Sequence, residues 1–336
     1  MLEIPEVSII LPMRNAENYL DTCIHSILEQ TLNNFELIVV DDHSTDNSLD
    51  ILKEFHDNRF HVVENPGKGL VDALNFGVSL SHSKWIARMD ADDIMLPRRL
   101  EKLLACLNTY TSIDCISSQV EIFPQDMATQ SMQRYIDWQN SCISHDDIIN
   151  SIYIESPITH PSVIIRKSTL LEVGGYRTGK FPEDYELWLR LFQHGAHFIK
   201  LPEVLLRWRQ YCDSTFRNHE NYSELAFNQV RYDYLLQDRR LTNAHRIFLW
   251  GAGPKTRRRL RPLLQSNLAI SGWVDIDPKK IDQQYSNIPV YSPEQAILQN
   301  PDLNLICVNN HGAREIVAKF LVEHHMKNGM DFLHVG

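Results

Sequence analysis

The 336-residue sequence shows no long apolar run and no pattern typical of a leader segment. A transmembrane helix needs about 20 predominantly apolar residues, and no stretch of this chain reaches that length. Residues 1–6 lack the basic segment and the following apolar segment of a secretory signal peptide. These absences predict a cytoplasmic protein without a membrane span.

Cysteine is sparse and is not arranged in pairs. None of the six cysteines forms a CxxC pair, a spacing that is common among zinc ligands. Their scatter predicts reduced and mostly buried thiols rather than a zinc site or a disulfide framework. The six are Cys23, Cys106, Cys115, Cys142, Cys212 and Cys307.

Basic residues are scarce in most of the chain. Residues 1–238 carry 20 Lys and Arg against 35 Asp and Glu, whereas residues 239–336 carry 13 against 8. The acidic part argues against broad nucleic-acid binding, because it repels a polyanion. The basic C-terminal part is compatible with a polyanionic partner that binds there.

Short apolar segments alternate with segments of helical spacing. This order predicts an α/β fold with a doubly wound, mixed or parallel sheet. A second series begins at residue 247 and predicts a smaller Rossmann-like α/β domain, whereas residues 124–160 are less regular. The first four strands are predicted at residues 7–12, 35–40, 60–63 and 85–89.

These two series define the expected domains. Residues 1–217 form the first domain, residues 218–242 a helical linker and residues 243–336 the second domain. Ligands of doubly wound sheets bind beyond the carboxyl ends of the strands. Acidic side chains that directly follow a strand are therefore candidate functional residues.

The strongest candidate is the segment Asp90-Ala91-Asp92-Asp93, at the end of the fourth strand. Three carboxylates within four residues repel one another unless they are solvated or bound to a cation. A hard divalent metal relieves that repulsion and can bridge to a diphosphate. The ordinary structural explanation is a solvated acidic turn in which Asp93 caps the helix after Pro97.

Two other acidic pairs occupy comparable positions. Asp42 follows the second strand and can accept a hydrogen bond from a nucleobase or a ribose, although an acid there can also cap the next helix. Glu183 and Asp184 stand at the start of a helix whose apolar face includes Trp188. A carboxylate there can accept the proton of an attacking hydroxyl, or simply stabilise the helix N-terminus.

The three acidic segments, taken together with their surrounding sequence, resemble the family 2 glycosyltransferases, which have the GT-A fold. The resemblance covers roughly residues 5–215. The matching segments are VSIILPMRN (7–15), FELIVVDDHSTD (35–46), RMDADDIMLPRRL (88–100), THPSVIIRKSTLLEVGGY (159–176) and EDYELW (183–188).

The resemblance implies a nucleotide diphosphate sugar as donor, usually a UDP-sugar, and inversion by a single displacement. Asp42 would contact the base of the donor and Asp90 its ribose or phosphates. Asp92 would ligate Mn(II) or Mg(II), and Asp184 would be the catalytic base. The first matching segment adds Pro12 and Asn15 as donor-binding candidates.

One segment departs from the family pattern. Many members carry Tyr-Arg-x-His after the base helix, and the His approaches the metal or the diphosphate. Here Tyr211 stands at the His position, which puts that contact in doubt. Arg209 and Lys68 are the remaining candidates for the diphosphate, although Lys68 fits a solvated turn equally well.

The C-terminal region begins with Gly251-Ala252-Gly253 between a strand and a helix, as in a dinucleotide fingerprint. Asp275 and Asp277 lie near the position of a ribose-binding acid, but the third glycine is missing around Arg257. We therefore predict a Rossmann-like module without the cofactor rather than an NAD site.

Five basic residues follow the glycines. They fit either a solvated helix or a surface that binds a phosphate backbone. They are Lys255, Arg257, Arg258, Arg259 and Arg261.

The whole-chain plan also resembles the queuosine-tRNA galactosyltransferases. This similarity rests on residues 250–253, 274–277 and 331–334. It implies that the basic module docks tRNA and that a hydroxyl of the modified base is the acceptor. The alternatives are an acceptor in cell-surface glycan synthesis (lipopolysaccharide or capsule), an NAD-dependent oxidoreductase, and a nucleotide-sugar-binding protein without catalysis.

Overall fold

The computed structural model describes residues 4–211, 220–308 and 312–336. The chain divides into two compact units, each described here by itself. The first comprises Met1–Ile148 and Ser156–Phe227, and the second comprises Ile149–Glu155 and Asn228–Gly336. No helix within the described ranges has both the length and the apolarity that crossing a bilayer requires.

An eight-stranded mixed sheet forms the centre of the first unit, in the order β3-β2-β1-β4-β7-β6-β8-β5. Neighbouring strands among β1 to β4 pair in parallel, as do β6 and β8, whereas β7 and β5 pair antiparallel with their neighbours. The strands are β1 Val7–Met13, β2 Phe35–Asp41, β3 Phe60–Glu64, β4 Trp85–Arg88, β5 Ile94–Met95, β6 Cys115–Phe123, β7 Ile164–Arg166 and β8 Phe198–Arg209.

Helices cover both faces of this sheet. Every residue of β1 and β2 is buried, which is why these strands read as continuous apolar runs rather than as alternating ones. Helix α3 packs so closely on β1 that a Cβ added to Gly77 would lie 2.5 Å from Ile10 Cγ2. The helices are α1 Leu20–Leu28, α2 Ser48–Lys53, α3 Leu70–Leu80, α4 Arg99–Thr109, α5 Gln130–Ser141, α6 His145–Ser151, α7 Lys167–Glu172 and α8 Glu183–His194.

The second unit contains a six-stranded sheet in the order β11-β12-β10-β9-β13-β14, parallel except for β11. Its strands are β9 Ile247–Trp250, β10 Ile270–Val274, β11 Gln284–Tyr285, β12 Ile288–Tyr291, β13 Leu303–Ile306 and β14 Phe332–His334. The remaining helices are α9 Glu224–Leu235, α10 Arg239–Thr242, α11 Pro254–Arg259, α12 Arg261–Leu264, α13 Pro293–Leu298 and α14 Ala313–Glu323.

The predicted α/β class, with a mixed sheet and a second, smaller sheet, is confirmed. Residues 124–160, whose sequence pattern is less regular, contain α5 and α6. Thr129 caps α5 by accepting a hydrogen bond from Met132 N. Only two α5 residues are buried, Ile136 and Gln139, so the helix has too narrow an apolar stripe to recognise in the sequence.

The five described cysteines are free thiols, and Cys212 lies outside the described residues. The predicted helical linker over residues 218–242 contains α9 and α10. Helix α9 crosses the boundary between the two units, and α10 lies within the second.

Candidate active site

Two candidate acids, Asp42 and Asp90, follow parallel strands of the first unit. Asp42 follows β2 and Asp90 follows β4, and both strands pair in parallel with β1. The carboxyl ends of β1, β2 and β4 therefore meet at one edge of the sheet. This edge is where ligands of doubly wound sheets bind.

Asp42 is held rigidly at this edge. It is 6% exposed, and its Oδ1 accepts hydrogen bonds from Asn65 Nδ2 at 2.7 Å and from Gly69 N at 2.8 Å. Within the described ranges its Oδ2 has no hydrogen-bond partner. One oxygen orients the carboxylate, and the other remains available to a nucleobase. Asn65 was not predicted, although Asn65-Pro66-Gly67 is a recognisable turn sequence.

The other donor-side candidates have structural contacts. Asn15 has a φ of +53°, and its Oδ1 accepts from Thr45 N at 2.8 Å, so it joins the loops that follow β1 and β2. Pro12 is buried within β1. Lys68 is exposed, and its backbone N donates to Asp72 Oδ2 at 3.0 Å. The contacts of Asn15 and Pro12 shape the edge of the sheet.

The acidic segment brings three carboxylates together. One oxygen each from Asp90, Asp92 and Asp93 lies within 4.8 Å of the others. Burial and the nearby Asp90 raise the pKa of Asp92 to about 6. Burial and Asp92 raise the pKa of Asp93 well above its ordinary value. A divalent cation at this cluster would remove the mutual repulsion that both shifts reflect.

The capping alternative for Asp93 is wrong. Helix α4 begins at Arg99 with Arg98 as its N-cap, several residues beyond Asp93. Asp93 is 1% exposed, and its Oδ1 accepts from Arg209 N at 2.7 Å. Its Oδ2 is buried without a hydrogen-bond partner in the described ranges. A buried, unpartnered carboxylate oxygen is costly, and a cation would stabilise it.

Tyr211 lies against the cluster at the position where the family pattern has His. Its hydroxyl forms a hydrogen bond with the carboxylate of Asp92. Arg209 packs beside it, with its guanidinium carbon 4.5 Å from the Tyr19 ring centroid and 4.7 Å from that of Phe123. Arg209 Nε donates to Asp92 O at 2.5 Å. Both side chains therefore fix the shape of the acidic segment.

The second acidic pair begins α8. Asp184 is partly exposed, and its Oδ1 accepts from Tyr185 N at 2.7 Å. Glu183 is only 7% exposed, and its Oε2 accepts from the Tyr222 hydroxyl at 2.7 Å. Burial and the neighbouring Glu183 raise the pKa of Asp184 to about 8. A carboxylate with such a pKa can accept a proton near neutral pH.

A buried polar network supports this pair. His160 Nε2 lies 2.9 Å from the Tyr176 hydroxyl, and its Nδ1 lies 3.7 Å from Glu183 Oε1. Burial and the charge of Arg88 lower the pKa of His160 well below its ordinary value, so the imidazole is neutral. Sequence reasoning did not identify His160 or Tyr176, although both lie in the fourth matching segment.

Arg88 connects the two acidic groups electrostatically. It is 3% exposed and pairs with Asp90. Burial lowers the pKa of Arg88, but the Asp90 carboxylate outweighs this effect, and the net pKa lies above the ordinary value. Burial raises the pKa values of Asp184 and Glu183, and the charge of Arg88 opposes that rise without reversing it. The carboxylate cluster of Asp90, Asp92 and Asp93 and the candidate base Asp184 are therefore treated as one candidate site.

Asp275, a candidate ribose acid, is engaged by the glycine turn of the second unit and by Lys280. Asp275 Oδ2 accepts from Ala252 N at 2.9 Å and from Lys280 Nζ at 3.0 Å. Gly251 has a φ of +110°, and an added Cβ would lie 2.8 Å from Val308 Cγ1. These contacts close the turn on itself, and a Rossmann-like module without a dinucleotide stays a prediction.

The five basic residues after this turn do not share one surface. The Arg257 guanidinium carbon lies 3.6 Å from the Tyr285 ring centroid. Arg259 Nη2 donates to Cys307 O at 2.6 Å. The exposed members are Lys255, Arg258 and Arg261.

Comparisons with known proteins point to one family. The model of the family described as Glycosyl transferase family 2 matches residues 8–174. The chain is 33% identical over 226 residues to an uncharacterized glycosyltransferase of Haemophilus influenzae, which covers 64% of this chain and 69% of that protein. It is 28% identical over 244 residues to the O-antigen biosynthesis glycosyltransferase WbnJ of Escherichia coli, which covers 70% of this chain and 91% of that protein.

Two solved structures share the fold. S. aureus TarS 1–349 in complex with UDP-GlcNAc superposes with a TM-score of 0.53 at 18% identity, over 68% of this chain and 71% of that chain. The mannosyltransferase PcManGT from Pyrobaculum calidifontis, in complex with GDP-Man and Mn²⁺, also gives 0.53, at 17% identity over 78% of this chain and 68% of that chain. At these identities the likeness concerns the fold alone, and the predicted GT-A fold is confirmed.

Proposed function

Because the chain belongs to glycosyl transferase family 2, we propose that it is an inverting, metal-assisted hexosyltransferase. Its donor would be a nucleotide diphosphate sugar, and a UDP-sugar is the first choice. Its acceptor would be a hydroxyl group. The observation that carries the proposal is the carboxylate cluster Asp90, Asp92 and Asp93 at the ligand-binding edge of the sheet. The candidate base Asp184 supports the proposal, because the charge of Arg88, which pairs with Asp90, also acts on its carboxylate.

The donor half of the reaction belongs to the edge formed by β1, β2 and β4. Asp42 would receive the base of the nucleotide through its unpartnered oxygen, and Asp90 would lie at the ribose or the phosphates. Asp92 would hold Mn(II) or Mg(II), which neutralises charge on the departing diphosphate when bound. The residues suit such an ion, because they are oxygen donors and include the buried, unpartnered Oδ2 of Asp93.

In the acceptor half of the reaction, Asp184 would be the catalytic base. As the acceptor oxygen forms its bond to the anomeric carbon, Asp184 would take the hydroxyl proton. The bond between the anomeric carbon and the diphosphate oxygen breaks in the same step, and the diphosphate leaves with the electron pair. Glu183 stays bound to Tyr222 and keeps the pKa of Asp184 raised. A single displacement inverts the configuration.

Hydrolysis of the donor is the direct test of this function. With water in place of the acceptor, the protein should release UDP slowly from UDP-sugars in the presence of Mn²⁺ or Mg²⁺, and EDTA should abolish the release. A panel of UDP- and GDP-sugars assayed for nucleotide release identifies the donor. If no nucleotide sugar is turned over with any divalent metal, the catalytic proposal fails.

Two acceptors have support from different observations. The relative WbnJ is named for O-antigen biosynthesis, which favours a hydroxyl of a growing cell-surface glycan. The second candidate is the queuosine base of tRNA. It is supported by the basic balance of residues 239–336 and by the exposed side chains Lys255, Arg258 and Arg261.

A gel shift with total tRNA separates the two acceptors. If these side chains dock tRNA, the triple variant Lys255→Gln/Arg258→Gln/Arg261→Gln should bind about 10- to 100-fold more weakly at low salt, and wild-type binding should fall steeply with salt. A matched variant, Lys279→Gln/Lys319→Gln/Lys327→Gln, removes the same charge from the same unit. Equal weakening of both variants, or binding that salt does not change, rejects docking at α11 and α12.

The remaining sequence expectations stay predictions. They are the cytoplasmic location and the functional division into residues 1–217, 218–242 and 243–336.

A further inference from the structure

Glu183 is a nearly buried carboxyl directly beside the candidate base. It begins α8, with Asp184 as the next residue, and only 7% of its surface is exposed. Two adjacent carboxyls at the start of one helix compete for a proton, because each anion disfavours the other. A group that stabilises one anion therefore decides which of the two carboxyls keeps the proton.

Polar groups face both oxygens of Glu183. The Tyr222 hydroxyl donates a hydrogen bond of 2.7 Å to Oε2, and His160 Nδ1 lies 3.7 Å from Oε1. His160 is fixed from its other side, where Nε2 lies 2.9 Å from the Tyr176 hydroxyl. At 3.7 Å the approach of His160 is longer than a hydrogen bond. The hydrogen bond from Tyr222 is therefore the closer of these two contacts.

The charges around this pair of carboxyls act in opposite directions. Burial raises the pKa of Glu183, and the hydrogen bond from Tyr222 is the largest effect that lowers it. The charge of Arg88 also lowers the pKa of Glu183, whereas Asp90 raises it. Burial and these carboxylates raise the pKa of Tyr222 itself, so its hydroxyl keeps its proton and can donate it in the hydrogen bond.

Resting on the proposed glycosyltransferase function, we propose that Tyr222 is a positioning residue that directs the acceptor proton to Asp184. Its hydroxyl stabilises Glu183 as the anion, so the proton removed from the acceptor stays on Asp184. The O–H bond of the acceptor breaks and an O–H bond to Asp184 forms, while Glu183 keeps its charge. Without the Tyr222 hydroxyl, Glu183 competes for that proton. Tyr222 lies beyond residues 8–174, the segment that the family model matches.

Titration of the two carboxyls by NMR tests the proposal without donor or metal. The full-length protein is labelled with ¹³C in the side-chain carboxyls of Asp and Glu and is titrated in the presence of EDTA. The two signals are assigned by their absence in Asp184→Asn and Glu183→Gln. In the wild type, Glu183 should titrate at lower pH than Asp184. In Tyr222→Phe the midpoint of Glu183 should rise and the gap between the two midpoints should narrow by about one pH unit, because a charged group loses a hydrogen bond.

Tyr153→Phe is the matched control. The Tyr153 hydroxyl donates to Asp238 Oδ2 at 3.0 Å, and both residues belong to the second unit. The control therefore removes the same kind of bond, from a tyrosine to a buried carboxylate, and it should leave the gap unchanged. Tyr222→Met, which also lacks a hydroxyl, replaces Tyr222→Phe if the latter does not fold, and it should narrow the gap in the same way.

A gap that narrows in Tyr222→Phe and stays unchanged in Tyr153→Phe supports the role of Tyr222. An unchanged or wider gap in Tyr222→Phe, equal narrowing in both variants, or a wild type in which Asp184 titrates at lower pH than Glu183 overturns it. Because the titration needs no turnover, it can fail while nucleotide release succeeds, and the reverse holds as well. Failure of this inference is therefore separable from failure of the glycosyltransferase proposal.

Discussion

Replacing Asp184 by asparagine is expected to lower the rate of nucleotide release and of transfer by about 10²- to 10⁴-fold, the usual contribution of a positioned base. An amide cannot take the hydroxyl proton, but it can keep the hydrogen bond from Tyr185 N that now holds Asp184 Oδ1. Donor affinity should therefore remain within a few-fold of the wild type. Rates with a UDP-sugar and UDP binding by calorimetry measure the two quantities separately.

The pH dependence of the rate provides an independent test of Asp184 as the base. The pKa of Asp184 is raised to about 8, so the deprotonated base becomes more abundant as pH rises. The wild-type rate should increase about tenfold per pH unit below that value and level off above it. In Asp184→Asn this dependence should disappear. A wild-type rate that is flat between pH 6 and about 8 would contradict the role of Asp184 as the base.

Stability should change in the opposite direction to activity. The folded pKa of Asp184 lies above its ordinary value of 3.8, so the unfolded chain releases this proton at lower pH than the folded chain does. Folding is therefore penalised increasingly as pH rises from about 4 to about 8, and fully above that range. The melting temperature of Asp184→Asn should exceed that of the wild type at pH 8 and approach it near pH 4.

A matched control limits this interpretation to the site. Glu172, on α7, faces His194 at the opposite end of α8 with 3.4 Å between Oε2 and Nε2. Glu172→Gln removes a carboxylate from the surroundings of the same helix without touching the candidate base. It should leave both the rate and the pH profile unchanged, and an equal loss in Glu172→Gln would indicate a general effect of charge.

The sequence predicted the acids because their chemistry is local. Asp42 and Asp90 each follow a buried parallel strand, and strand ends can be read from apolar runs. Once the sheet is parallel, its geometry brings those ends to one edge. The same logic identified Glu183 and Asp184 at a helix start, because a 3.6-residue apolar spacing begins directly after them.

The partners of these acids could not be predicted, because they come from distant parts of the chain. Arg209 N bonds to Asp93 across 116 positions, and Tyr222 bonds to Glu183 across 39. No local pattern encodes such pairs. The strands β5 and β7 were missed for a related reason: at two and three residues, they are too short to show a period.

Replacing Asp92 by asparagine is expected to remove metal-dependent activity, with a loss of about 10²- to 10⁴-fold in nucleotide release at fixed Mn²⁺. The substitution takes away one charged oxygen ligand but keeps the size of the side chain. It also changes the hydrogen bond with Tyr211. Donor hydrolysis titrated with Mn²⁺ should show the loss mainly as a higher metal requirement.

A direct binding readout accompanies the kinetic one. In the wild type, Mn²⁺ at about 100 times its Kd should stabilise the folded state by about 2.7 kcal/mol and raise the melting temperature of the first unit by about 5–10 °C. Asp92→Asn should lose most of that rise. Without metal, its melting temperature should equal or exceed that of the wild type, because one member of a repelling group has become neutral.

Asp93→Asn is the comparison that assigns the metal within the cluster. Asp93 is 1% exposed, and burial holds its pKa well above the ordinary value, which favours the neutral carboxyl that an amide resembles. If Asp92 is the principal ligand, Asp93→Asn should retain metal-induced stabilisation and activity within about tenfold, since a single neutral hydrogen bond contributes about 1 kcal/mol. Equal loss in both variants would mean that the ion is shared between the two carboxylates. Loss in Asp93→Asn alone would transfer the ligand role to Asp93 and leave Asp92 as its hydrogen-bonded neighbour.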